Sequence, residues 1–146
     1  MKRILSLFTI VVLLMLVLPS GASAVADNGT GHYWLFSGLN QTGQYRDFNI
    51  GPSQSVNLGT LNYQQNCGGS CIPMYHTVSS VAFSCGTTGT RVKAGDYITI
   101  YITYPNIGSS QRFTSTYPTG CSGGLMRFNL NSTMNDHSAG VVTHFN

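Results

Sequence analysis

Side chains able to do chemistry are few in this chain of 146 residues. It has four Cys, four His and four Asp, and no Glu. Most glycosidases work with a pair of carboxylates, and Asp27, Asp47, Asp96 and Asp136 are too scattered to suggest one. A Gly-x-Ser-x-Gly nucleophile turn and a His-Glu-x-x-His zinc helix are both missing. The reading is therefore a protein that is not an enzyme, with no residue assigned to catalysis. The cysteines are Cys67, Cys71, Cys85 and Cys121. In an oxidising compartment an even count points to two disulfides. Three pairings are open, and the sequence does not choose among them. Cys67-Gly-Gly-Ser-Cys71 also has the close thiols of a zinc knuckle, but a zinc ribbon needs a second such pair, which is absent from the sequence.

The compartment is read from the start of the chain. Lys2 and Arg3 precede an apolar run from Ile4 to Leu18, which Pro19 and Gly21 end before Ala22-Ser23-Ala24. That is the layout of a secretory signal peptide cleaved after Ala24. The run is shorter than the roughly 20 apolar residues of a membrane span. Residues 25–146 are then a secreted, extracellular single domain with no membrane span. They carry five cations against four Asp, a balance unlike that of nucleic-acid binders. Only 8% of the chain is charged and 42% is hydrophobic, with 17 Gly. Charge-driven disorder and a coiled coil are excluded on those grounds.

After residue 24 no stretch keeps a helical period. Tyr97 to Tyr104 alternates cleanly, with Ile98, Ile100 and Ile102 on one face and Tyr97, Thr99, Tyr101 and Thr103 on the other. Further strands are predicted at His32–Ser37, Gln44–Ile50, Ser55–Leu61, Val78–Ser84, Gln111–Ser115, Leu125–Asn129 and Gly140–Phe145. Gly-, Ser- and Asn-rich loops separate them. The expected class is all-β, a two-sheet sandwich. Trp34, in an alternating strand, is expected in the core. Tyr45, Tyr63 and Tyr117 lie near loops and are candidates for a binding face. Sequons stand at Asn28, Asn40 and Asn131, and matter only in a host that glycosylates.

The chain also repeats itself. Gly31-His32-Tyr33 returns 64 residues later as Gly95-Asp96-Tyr97. Phe36, Gly43 and Phe48 return 65 later as Tyr101, Gly108 and Phe113. Met74-Tyr75-His76 returns 60 later as Met134-Asn135-Asp136, and Val81 then matches Val141. Two halves follow, about 31–85 and 95–145, each too small for its own core. They are expected to pack as one pseudo-symmetric domain, with a drift in spacing of about one loop deletion.

Within each half the pattern resembles the Greek-key motif of the βγ-crystallin superfamily, in its microbial, secreted form. That motif is an aromatic, four residues, a second aromatic, one residue, then Gly. Phe36 with Gly43 and Tyr101 with Gly108 keep its ends, while Gln41 and Asn106 fill the second aromatic slot. The resemblance implies two Greek-key motifs packed as one β-sandwich. It also implies calcium, which in microbial members is held by a signature of two Asn/Asp, two variable residues, Ser/Thr and Ser. Calcium is a hard cation that takes six or more oxygens. Tyr75-His76-Thr77-Val78-Ser79-Ser80 keeps the serines of that signature and lacks the acids. Asn135-Asp136-His137-Ser138-Ala139-Gly140 keeps the acids and lacks the serines. Pairing the loops across a pseudo-twofold would give one weak site from Ser79, Asn135 and Asp136, and one dead site. His76 and His137 would then be neighbours, a pair able to hold a transition metal.

Three functions stay open. The first is a non-catalytic βγ-crystallin-like protein holding one calcium ion, a monomer that persists outside the cell. The second is a secreted effector on the same scaffold, in the manner of a metalloprotease inhibitor or an antifungal killer toxin, acting on an extracellular protein. Its acting surface would be the 62–73 loop around Cys67 and Cys71. The third is a carbohydrate-binding module for a cell-surface glycan.

Overall fold

The computed structural model describes residues 31–51, 53–85 and 92–145. The leader, Asp27, Asn28 and Arg91 lie outside the described residues. Among the described residues the regular structure is eight strands: β1 (His32–Phe36), β2 (Tyr45–Asn49), β3 (Gln54–Asn57), β4 (Ser80–Ser84), β5 (Tyr97–Thr103), β6 (Ile107–Thr114), β7 (Leu125–Asn129) and β8 (Gly140–His144). Short 3-10 turns occupy Leu39–Gln41 and Leu58–Thr60. The second of these ends β3 early, because the Asn57 side chain accepts from the Gly59 N–H at 2.9 Å and turns the chain. β6 begins at Ile107, four residues before the sequence suggested, because it pairs with β5 all the way to its bulged end.

The strands form two antiparallel sheets of four, ordered β2-β1-β4-β7 and β3-β8-β5-β6. Moving every strand of the first sheet four places along the chain gives the second sheet, with the order closing on itself. β3 and β7 each lie in the sheet otherwise built from the other half of the chain. The chain is therefore stitched across the interface twice. Inward residues of both sheets share one core, including Tyr33, Leu35, Val81 and Phe83 from the first and Ile98, Ile100, Phe113 and Val141 from the second. Burial of this apolar set is the main driving force for the fold.

Equivalent backbone conformations recur in the two halves. Gln41 (φ 60°) matches Asn106 (57°), and Gly43 (77°) matches Gly108 (84°). His76 (57°) matches Asp136 (56°). A positive φ at a side-chain-bearing residue is uncommon, so the matches at His76/Asp136 and Gln41/Asn106 are structural equivalences. One sequence match is corrected. Tyr33 points into the core, whereas Tyr97 stacks on His144 at the outer face. The strands align at a spacing of 65, so that Ile98 replaces Tyr33. The pairs Tyr33↔Phe48 and Ile98↔Phe113 hold that register. The drift is also more than one deletion. Val56 and Phe128 face the equivalent partners Val141 and Val81, a spacing of 72 before the return to 60. The 115–124 loop is longer than its counterpart, and the β3–β4 connection longer still.

Trp34 is buried as expected, but not in the main core. With Phe36, Ala82 and Leu125 it forms a second cluster on the opposite face of the first sheet. The 37–44 hairpin folds back towards that face. Ser80 Oγ donates to Gly38 O at 2.6 Å and accepts from Gln41 N at 3.1 Å. The tip is tied to β7 as Asn40 N donates to Asn129 Oδ1 at 2.7 Å.

Candidate functional site

The two signature loops enter β4 and β8, and their backbones are bonded alike. Ser79 N donates to Phe36 O and Ala139 N to Tyr101 O, both at 2.8 Å. Leu130 N donates to Ser79 O at 2.9 Å, and Leu58 N to Ala139 O at 3.0 Å. Between the loops, His76 N donates to Ser138 O at 2.7 Å, and Asp136 N donates to Val78 O at 3.2 Å. These bonds make Ser79 equivalent to Ala139 and His76 equivalent to Asp136. The halves are thus alike in backbone and unlike in chemistry.

At one end the structure brings together Ser79, Asn135 and Asp136. Ser79 Oγ lies 3.1 Å from both Asp136 Oδ1 and Ser37 O, and its one proton is shared between these two acceptors. Asn135 Nδ2 donates to Asp136 Oδ2 at 3.0 Å. Ser79 is buried, while Asp136 is exposed. Asn135 Oδ1 is a buried acceptor with no partner, and such a group carries a cost when desolvated and unmatched. A half-turn of the amide would aim Oδ1 beside the Asp136 carboxylate. The donor set is then carboxylate, amide, hydroxyl and the Ser37 carbonyl, all oxygen. These residues fit a hard cation such as calcium. Ser37 was not identified from sequence, because a backbone carbonyl leaves no residue-type signal.

At the other end Ala139 has no hydroxyl, and the place of Asp136 is taken by His76. The His76 ring stacks on Tyr75 at 3.8 Å between centroids and lies 6.4 Å from the His137 ring. The expected His neighbourhood is therefore present. Among the described residues no group of three or more His, Cys, Asp or Glu converges on one point.

The disulfides are Cys67–Cys71 and Cys85–Cys121. Their Cα separations of 4.8 and 6.2 Å lie in the normal range. The first closes an exposed loop, and the second joins the end of β4 to the 115–124 loop. Gln44 fastens the exposed loop as well. Its Nε2 donates to Ser70 O at 3.0 Å, and its Oε1 accepts from Ile72 N at 2.9 Å. Nothing in the sequence singled out Gln44.

The binding-face expectation for Tyr63 is overturned. Tyr63 is 1% exposed and part of the core. Burial raises its phenol pKa above the ordinary value, against the opposing hydrogen bond from Thr77 and with a further rise from the Asp136 charge. Burial likewise raises Tyr33. Tyr45 and Tyr117 are half-buried. The exposed tyrosines among the described residues are Tyr75 and Tyr104. On the outer face of the second sheet, Arg112 lies 4.1 Å over the Tyr97 ring, which stacks in turn on His144. Both glycosylation candidates described, Asn40 and Asn131, are exposed.

No family model, curated protein or solved structure matches this chain.

Proposed function

We propose that this is a secreted, non-catalytic protein of βγ-crystallin type, a double Greek key that binds one calcium ion through Ser79, Asn135 and Asp136. The observation that carries the reading is the Ser79–Asp136 contact at 3.1 Å. It joins a hydroxyl of the first half to a carboxylate of the second. A site shared between halves is what the complementary losses in the two loops require. The strand order supports the Greek-key assignment, because each half runs as a hairpin, a strand lent to the opposite sheet, and a returning strand beside the first. Two disulfides and the apolar leader support an oxidising, extracellular setting.

With a single carboxylate, the affinity belongs to the range of extracellular modules, about 10⁻⁴ to 10⁻³ M. The ion would replace the Ser79–Asp136 hydrogen bond by shared coordination, cross-linking the end of the first half to the loop of the second. Its role is then structural, to raise stability where calcium is plentiful. Titration calorimetry tests the proposal. It predicts one calcium ion per chain for the unaltered protein and none for Asp136→Ala. Equal uptake by both proteins would exclude the site.

A second reading rests on the pinned 64–72 loop, exposed at most positions yet held by Cys67–Cys71 and by Gln44. A preordered loop loses little entropy on docking, which suits an effector of the metalloprotease-inhibitor or killer-toxin kind. Protection of a metalloprotease substrate, lost when the loop sequence is scrambled, would favour it.

A further inference from the structure

The pseudo-symmetric counterpart of the proposed calcium site lacks the carboxylate, amide and serine hydroxyl, and imidazoles stand there instead. His76 takes the position of Asp136, in the same left-handed conformation (φ 57° against 56°). His137, from the other loop, turns towards it, with ring centroids 6.4 Å apart and planes at 42°. Both side chains are exposed, and they line a cleft of about 520 Å³ with Ile102, Ser132 and Thr133. We propose that His76 and His137 form a binding site for one borderline-soft divalent metal ion, zinc or copper(II).

Three features argue for it. First, His137 Nδ1 lies 2.7 Å from the Asn135 carbonyl oxygen. A carbonyl can only accept, so Nδ1 carries the proton and Nε2 of the neutral ring keeps the lone pair that a metal would take. Metal-binding histidines are commonly set up in this way. Secondly, Tyr75 covers a face of the His76 ring at 3.8 Å between centroids. Metals bind imidazole in the ring plane, so stacking orients the ring without blocking its nitrogens. Thirdly, the distance suits a shared ion. With metal–nitrogen bonds of about 2.0–2.1 Å, two imidazoles on one tetrahedral ion hold their centroids roughly 5 Å apart. Two exposed side chains starting at 6.4 Å reach that by small rotations. Water would complete the coordination, in a cleft that Ser132 and Thr133 also line. Imidazole favours zinc and copper over calcium, which takes oxygen. The two loops would thus hold two metals of different chemical class in pseudo-equivalent places.

The inference does not rest on the calcium proposal, since neither histidine belongs to the oxygen set. Titration calorimetry with zinc chloride in chelator-treated buffer tests it, with melting curves to show that each variant is folded. The unaltered protein should take up one zinc ion. His76→Gln and His137→Gln should each weaken uptake at least about tenfold, the smallest cost usual even for groups that only orient a ligand. His32→Gln and His144→Gln should leave it unchanged. Copper(II) spin resonance should show two nitrogen ligands, falling to one in either loop variant. No zinc uptake, or uptake unaltered in both loop variants, would overturn the proposal. A copper spectrum unchanged by both would do the same.

Discussion

The two disulfides should contribute unequally to stability, and the difference can be worked from the chain. Cys67–Cys71 closes a loop with a sequence separation of 4, whereas Cys85–Cys121 closes one of 36. In the chain-entropy account, removing the short cross-link costs about 2 kcal/mol and removing the long one about 4 kcal/mol. Burial widens the gap. Cys85 is 4% exposed and packs in the main core, so its loss also removes contacts. Cys71 is exposed, and Gln44 holds its loop with two further hydrogen bonds. At roughly 4 °C per kcal/mol for a domain of this size, Cys67→Ala/Cys71→Ala should lower the midpoint by roughly 8 °C. Cys85→Ala/Cys121→Ala should lower it by roughly 16 °C or more. Calorimetric melting of the two double variants beside the unaltered protein reads this directly. Equal losses, or a larger loss from the short loop, would refute both the pairing and the entropic reasoning.

Other outcomes follow from the same contacts. A Cβ at Gly140 would stand 2.7 Å from Asn106 Oδ1 and 3.2 Å from Tyr104 Cδ2. Gly140→Ala should therefore cost about 1–3 kcal/mol, and Asn106→Ala in the same chain should recover part of that in a double-mutant cycle of denaturant midpoints. Ser80→Ala removes both bonds from a buried hydroxyl to the 37–44 hairpin. The expected loss is about 1–3 kcal/mol, with faster hydrogen exchange at Gln41 N. Alkali should also destabilise the protein. The buried phenols of Tyr33 and Tyr63 have raised pKa values, so above the ordinary value near pH 10 the unfolded chain loses protons that the folded one keeps. Stability present below pH 10 then falls by up to about 1.4 kcal/mol per pH unit for each phenol. Tyr33→Phe should halve that slope in urea unfolding at pH 10 to 12.

Much of the fold was legible because strand periodicity is a local signal. All eight predicted strands are present, and β7 has the predicted bounds. The alternation over Tyr97–Tyr104 marks the faces of β5: Ile98 and Ile100 lie in the core, and Tyr97 stacks on His144 at the outer face. Harder to read were features set by contacts between distant residues. Tyr63 is a loop residue as expected, but the core encloses its ring, and only the tertiary fold could bury it. Tyr97 matched Tyr33 by type, yet the strand register places Ile98 there instead, because a one-residue offset reverses every side chain. The disulfide pairing was likewise a matter of geometry. Ser79, Asn135 and Asp136 could be brought together from sequence because their losses were complementary, whereas the Ser37 carbonyl and the Gln44 tether carry no such mark. Asn106 stands where the motif has its second aromatic. In the structure its Oδ1 lies against Gly140, where the first half has Ser80.

The central claim is a calcium ion held between the two halves. The thermal midpoint, measured in chelator and then in about 10 mM calcium, tests it most directly. With an affinity of about 10⁻⁴ to 10⁻³ M, mass action at that concentration adds about 1.4–2.7 kcal/mol to the native state. The midpoint should rise by roughly 6–11 °C, and Asp136→Ala should remove the rise. An unchanged midpoint, or an equal rise in Asp136→Ala, would contradict the account.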